Sequence, residues 1–458
     1  MGPERDSAQS STMMYARLTQ TYRRLRKYLN NSYWLLAEQV AGMGLAFIGT
    51  VIVARYLGPE DFGSLAYALS LAALFGAAGH MGLHGLVVRE IVKLPDLRPA
   101  TLGTAVILKL FGVAVGYAIL VLYAWLYEGA GTTQFYLIVV AGLALLFQPL
   151  AVIDYWFQAF VQARYTVIAK VSSQGLATGL KLLLVFAGAG LVYFALAHLF
   201  QALLTALFLI GVFYLKAVNK PSQWVFRRDR AKDLLRQGWV LYLGSIFAVI
   251  YLKIDLVMLR WLSGTTEVGQ YAVAAQLSAA WYFIPTAIVV SFFPKLIQLR
   301  DRNEPLFYRR FQQLFDMLFV MALIVALAVT FLAPWLVALL FGSDYSASAS
   351  ILMIHIWAAI FIFMRAALSK WILIENALYF SLFTQGLGAG SNVLLNYLFI
   401  PLYGGVGAAY ATLISYAIAS FLALLFYRRT RFVFWQMARA VLAPIRYPAL
   451  FYRDYFKA

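Results

Sequence analysis

About twelve apolar stretches follow one another along this chain, each long enough to cross a bilayer. They lie at 33–56, 62–87, 101–127, 134–158, 164–188, 191–215, 237–261, 268–294, 312–340, 349–374, 378–401 and 405–427. A hydrocarbon core about 30 Å thick takes roughly 20 apolar residues per helical crossing. The pattern therefore predicts an all-α, polytopic membrane protein with about 12 transmembrane helices. With 63% hydrophobic and 12% charged residues and a mean hydropathy of +0.77, a soluble globular protein is excluded. The first apolar stretch is too long for the core of a cleaved signal, so it reads as a retained helix. There is no cysteine, hence no disulfide, thiolate metal site or cysteine nucleophile.

The net charge of +18 would suggest nucleic acid in a soluble protein; here its placement matters more. Lys and Arg concentrate on one face: the segment up to Arg23, Arg24, Arg26 and Lys27, then Arg89, Lys93, Arg98 and Arg164, then Lys216 to Arg236, Lys295 to Arg310, and the tail from Arg428. The alternate loops carry Glu60, Asp61, Glu128, Glu267 and Asp344, with Arg55 and Arg260 at helix ends. Cytoplasmic loops retain Lys and Arg, so both termini are expected in the cytoplasm. The expected plan is a basic N-terminal segment (1–32), a six-helix bundle (33–216), a basic cytoplasmic linker (217–236), a second six-helix bundle (237–428) and a cytoplasmic amphipathic tail (429–458). Phe432, Trp435, Leu442, Phe451 and Tyr455 spaced among arginines make that tail an interfacial helix for anionic headgroups. No loop exceeds roughly 20 residues, too short for a folded domain, so the chemistry must lie within the helices.

The chain repeats itself. Arg55-Tyr56-Leu57, Asp61-Phe62-Gly63, Leu65-Ala66 and Ala68 return as Arg260-Trp261-Leu262, Glu267-Val268-Gly269, Tyr271-Ala272 and Ala274. Gln174-Gly175-Leu176-Ala177-Thr178-Gly179 returns as Gln385-Gly386-Leu387-Gly388-Ala389-Gly390. A repeat of six helices keeps each helix's direction, which predicts two pseudo-symmetric bundles related by an axis along the membrane normal, a transporter architecture. Gly63 and Gly269, at matching places, are expected where helices approach closely.

Val53-Ala54-Arg55-Tyr56-Leu57-Gly58-Pro59-Glu60-Asp61-Phe62-Gly63, Val87-Val88-Arg89-Glu90-Ile91 and Ile254-Asp255-Leu256-Val257-Met258-Leu259, with Gly269-x-Tyr271-x-x-Ala274 and Phe293-Pro294, carry a family likeness. They resemble the polysaccharide transporters of the multidrug/oligosaccharidyl-lipid/polysaccharide superfamily, nearest to its Wzx-type O-antigen flippases. The resemblance implies a flippase that moves polyprenyl-diphosphate-linked oligosaccharide repeat units from the inner to the outer leaflet of a bacterial cytoplasmic membrane, for O-antigen or exopolysaccharide synthesis. It implies membrane lipids and other polysaccharide-assembly proteins as partners, and no nucleic acid. Lipid II flippases of the superfamily typically have additional C-terminal helices, and none is convincing here after Arg428.

An ionisable side chain inside a membrane helix is a functional candidate, because it is costly unless it meets water or a partner. The clear cases are Lys109, Lys170, Lys181, Lys253, Asp255 and Arg365; Glu38, Asp154, Arg55 and Arg260 lie near helix ends, where they can snorkel. On the fifth span Thr166, Lys170, Gln174, Ala177 and Lys181 share one helical face, expected to line a water-filled cavity. The matching face of the eleventh span is Ser381, Gln385, Gly388, Asn392 and Asn396. Cationic residues on one half suit a diphosphate and amides on the other suit sugar hydroxyls. Lys253 and Asp255 point about 200° apart on one helix and need separate partners. Asp255 is expected to pair with a lysine across the bundle, or with Asp154 and Glu38 to couple transport to H⁺ or Na⁺. His80, His84, His198 and His355 show no metal spacing. No phosphate-binding loop, paired-carboxylate or nucleophile motif is present, which argues against an enzyme and against a bound cofactor.

Two other functions compete. A drug or cation antiporter of the same superfamily would want carboxylates in its cavity, whereas Lys and Arg outnumber Asp and Glu inside these spans. A membrane-embedded polymerase would need a sizeable outward loop.

Overall fold

The computed structural model describes the backbone of residues 3–216 and 221–446, and side chains of 30–216 and 222–446. Its helices, in chain order, are α1 (Pro3–Gly76), α2 (His84–Lys93), α3 (Arg98–Tyr127), α4 (Thr133–Leu143), α5 (Val152–Ala159), α6 (Ala163–Phe186), α7 (Leu191–Lys216), α8 (Arg228–Leu262), α9 (Thr265–Ala279), α10 (Phe283–Arg302), α11 (Glu304–Phe341), α12 (Ser346–His355), α13 (Ala358–Ile374), α14 (Leu378–Ser420) and α15 (Arg431–Ala440). No strand occurs among the described residues.

Among the described residues, eight helical stretches are long and apolar enough to cross a membrane, nine with the bent pair Ser343–His355 and Ala358–Ile374. Two of the eight cannot be single crossings. Asn30–Lys93 has 64 residues and Leu378–Leu425 has 48, lengths of about 96 Å and about 72 Å at 1.5 Å per residue. Each breaks at a glycine: Gly58 (φ 75°, ψ 172°) in α1 and Gly404 (φ 56°, ψ −133°) in α14. Counting both halves of each, and adding the more polar α6, restores the twelve-span plan.

The break at Gly58 has a twin. Gly264, which opens α9, holds φ 93° and ψ 175°, and these torsions are essentially open to glycine alone. The sequence repeat is thus a repeat of backbone conformation. Five residues beyond each lies the glycine expected at a close approach. A Cβ on Gly63 would stand 1.9 Å from the Thr265 carbonyl oxygen, and one on Gly269 would stand 2.0 Å from that of Pro59. Each glycine faces the other repeat's equivalent residue, the reciprocity of a two-fold interface.

Around this crossing α1 packs on α6, α8 and α9, while α8 packs on α14 and α11 on α12 and α13. Two boundaries differ from the sequence reading. α8 begins at Arg228, inside the expected linker, because Arg230 is buried (7% exposed) and pairs with Glu90 at 2.8 Å, tying the first turns of α8 to α2. In the tail, α15 is not a free anchor: Val433, Met437 and Ala440 are buried and the helix docks on α11. Phe451 and Tyr455, and the side chains of Arg23 to Lys27, lie outside the described residues, as do linker positions 217–220.

Candidate transport site

The polar face of α6 meets α1 in parallel register. Lys170 Nζ donates to Glu38 Oε1 (3.1 Å) and Asp154 Oδ2 (2.7 Å), Gln174 Nε2 to the Gly42 carbonyl (2.8 Å) and Thr178 Oγ1 to the Leu45 carbonyl (3.5 Å). Lys181 follows beside Gly49. The stripe expected to face open water is therefore largely a helix–helix seam, with Lys170, Gln174 and Lys181 half-buried in it. Small residues on α1 let the backbones come close enough for those bonds.

Lys170 is not an unpaired cation. Glu38 and Asp154, expected to snorkel at helix ends, hold it from α1 and α5, and the chain of contacts continues from Asp154 to Gln158 (3.1 Å) and from Gln158 to His84 (2.9 Å). Two carboxylates on one ammonium leave the group net negative when all three are ionised. Lys109 is buried (3% exposed) and donates to the Gly79 carbonyl at 2.9 Å, where the second crossing breaks between α1 and α2. There it satisfies the carbonyl of a helix end.

The second cluster lies in the other half. Asp255 Oδ2 accepts from Tyr271 Oη (2.8 Å) and Thr412 Oγ1 (2.9 Å), and Oδ1 from Asn396 Nδ2 (2.5 Å). Asn396 also donates to Asn392 Oδ1 (3.1 Å), and Asn392 reaches Ser415 (3.4 Å). The expected lysine partner is absent: among the described residues Asp255 makes no ion pair, and three neutral donors replace it. Among the described residues Asn396 Oδ1 is buried without a hydrogen-bond donor, so this amide oxygen is left to coordinate a cation or to accept a hydrogen bond. Arg365, on α13, spans to α14 through the Ala419 carbonyl (3.2 Å) and Thr384 (3.0 Å). Gln385 is half-buried and has no side-chain hydrogen bond among the described residues. No group of three or more His, Asp or Glu able to hold a metal ion occurs among the described residues.

Between the halves, α1, α8, α9 and α14 enclose a cavity of about 360 Å³. Thr50, Ser70, Gln276 and Tyr251, Tyr271, Tyr282 and Tyr416 line it, with Lys253, Asp255 and His355. Lys253 forms no ion pair among the described residues. It is the cavity's uncompensated cation, and although Lys253 and Asp255 are only two residues apart on α8, both line this one cavity without pairing with each other. Sequence reasoning missed the tyrosines. Only Tyr271 carried a signal, as the central residue of the Gly-x-Tyr-x-x-Ala element.

On the less basic face the halves are knitted shut. Arg260 lies 3.8 Å from Glu128, which also accepts from Tyr67 (3.0 Å). Trp261 donates to Tyr123 (2.9 Å), and Tyr345 to the Ala54 carbonyl (2.8 Å).

Twelve crossings in two related halves, meeting at a polar cavity, define a membrane transporter fold. The chain matches the polysaccharide biosynthesis protein family over residues 28–300 and belongs to it. It is 25% identical over 404 residues to the probable flippase AglR of Haloferax volcanii, covering 84% of this chain and 80% of that one. To the probable low-salt glycan biosynthesis flippase Agl15 of the same organism it is 23% identical over 403 residues, covering 85% and 81%. Its fold is similar to that of the lipid II flippase MurJ in an inward closed conformation, with a TM-score of 0.67 at 15% identity over 93% of this chain and 99% of that one.

Proposed function

We propose that this protein is a flippase that carries a polyprenyl-diphosphate-linked oligosaccharide across the cytoplasmic membrane by alternating access. It is a transporter, not an enzyme, and serves the assembly of a surface polysaccharide such as O-antigen or exopolysaccharide. The observation that carries this reading is the cavity between the halves, where Lys253, without an ion pair among the described residues, stands among four tyrosines and the amide of Gln276. A cation suits the diphosphate, tyrosine rings and hydroxyls suit sugars, and the relatives named as flippases support the class. The cavity disfavours organic cations, since its one lining carboxylate, Asp255, is already held by three donors.

In this reading Lys253 receives the diphosphate first, Lys181 and Arg365 assist along the passage, and Gln385 and Asn392 belong to the sugar side. Asp255, with the free Asn396 Oδ1, is the site for a coupling H⁺ or Na⁺; the cluster of Glu38, Asp154 and Lys170 moves charge in the other half. The basic face is cytoplasmic, so the seam at Glu128 and Arg260 closes the outer side. Reporters fused after Glu128, Gly264 or Asp344 should read outside, and those after Pro95, Trp224 or Glu304 inside.

The deciding experiment is complementation of a strain lacking its own flippase, scored by the lipid-linked oligosaccharide that accumulates in the inner leaflet. Restored polymer and loss of the accumulated intermediate support the proposal. Extrusion of organic cations by the same cells without clearance of the intermediate would favour the antiporter.

A further inference from the structure

At the basic end of the molecule α15 and the first turns of α11 enclose a second cavity, of about 840 Å³. This volume falls within the range of about 300–1,000 Å³ typical of small-molecule sites. Its inner wall is Asp316, 1% exposed and paired with Arg446. Toward the mouth stand Arg309 from α11 and Arg439 from α15. Both are exposed, and among the described residues neither takes part in an ion pair. Among the described residues that line the pocket, three guanidiniums stand against one carboxylate, a net positive lining.

The rim has a different character. Phe432 (47% exposed) and Trp435 (66% exposed) line the pocket and face outward from α15, whose opposite face is buried on α11. α11 enters its long apolar run at about Leu314, so the pocket sits at the level where headgroups meet acyl chains. Aromatic rings at that depth favour the interface, and guanidinium forks bind phosphodiester oxygens in two-pronged fashion. A soluble anion would satisfy the arginines and leave the aromatic rim exposed to water. A lipid satisfies both.

We propose that this pocket binds the headgroup of an anionic phospholipid from the leaflet at the basic face, with Arg309 and Arg439 on the phosphate and the acyl chains against Phe432 and Trp435. The site is separate from the cavity between the halves and does not depend on what that cavity transports.

The test is native mass spectrometry of the full-length protein in detergent, titrated with phosphatidylglycerol, phosphatidylcholine or inorganic phosphate. Phosphatidylglycerol should be retained in preference to phosphatidylcholine. The double variant R309Q/R439Q should weaken its binding about thirtyfold, given roughly fivefold for each basic residue near a membrane surface. R309K/R439K, which keeps the charges, should recover most of it. R228Q/K232Q, which removes two exposed charges elsewhere on the same face, should stay within about twofold of wild type. Equal retention of the two lipids, equal loss in both glutamine variants, or displacement of phosphatidylglycerol by millimolar inorganic phosphate would each overturn the proposal.

Discussion

The two halves of this protein bury charge in different ways. In the first, Lys170 is neutralised by Glu38 and Asp154, drawn from two other helices, and the side chains remain 30%, 26% and 11% exposed. In the second, Asp255 is 5% exposed and meets no cation among the described residues; Tyr271, Thr412 and Asn396 stabilise it with dipoles. A charge held by opposite charges is tied to its helices, because separating them strands ions in a medium of low dielectric. A carboxylate held by neutral donors can take up a proton or a small cation while its neighbours stay in place. The first arrangement suits a structural strut that also shifts charge, and the second suits reversible loading.

The largest effect should come from breaking the strut. Lys170→Ala leaves two carboxylates facing each other and is expected to lower stability by about 3 kcal/mol, read as a fall in the thermal unfolding midpoint in detergent. The triple variant K170A/E38Q/D154N should recover more than half of that loss. An unchanged midpoint in the single variant would mean that the three charges are independently solvated and the contrast between the halves is false.

The seam shared by both halves provides an internal control. Gly63→Leu and Gly269→Leu each drive a side chain into a backbone carbonyl, an overpacking cost of about 1–3 kcal/mol or more. Folded yield by fluorescence-detected size exclusion should drop to a similar extent for both, since the contacts are reciprocal. A drop confined to one of them would show that the repeat is asymmetric at its crossing.

Asp255→Asn should be milder in stability, about 1–3 kcal/mol from mismatched donors, and severe in function. Transport is expected to fall at least tenfold, on the order of 1.4 kcal/mol, and to lose its dependence on a Na⁺ or H⁺ gradient. Retained gradient dependence would move coupling to the first half. Smallest in stability is Lys253→Gln, which removes a charge no carboxylate compensates and should leave the unfolding midpoint within about 1 kcal/mol of wild type. Clearance of accumulated lipid-linked oligosaccharide should still fall several-fold. Wild-type clearance at equal abundance would exclude Lys253 from the substrate path.

Much of the candidate site was legible one residue at a time. Lys170, Asp255 and Arg365 stood out because ionisable groups are rare in apolar helices, and Asn392 and Asn396 because they share a face with Gly388. Their pairings were not legible. Glu38 and Lys170 are 132 residues apart in the chain, and Asp255 and Thr412 are 157 apart. Helical spacing relates neighbours on one helix and is silent about which helix stands opposite. For the same reason Arg230 reads as one more basic loop residue until Glu90 is found beside it.

By itself, the sequence determined the number of crossings, the alternation of charge across the two faces, the repeat, and the glycines at the crossing. Each follows from local physics: apolar length, the retention of basic residues on one side, and the need for residues without a side chain where helices approach closely. The tertiary structure alone decided that the polar stripe of α6 is a seam against α1, that Asp255 is held without a cation, and that α15 docks to form a pocket with α11. Those outcomes depend on which faces meet, and in a bilayer the meeting of faces is set by close packing and polar pairing between helices far apart in the chain.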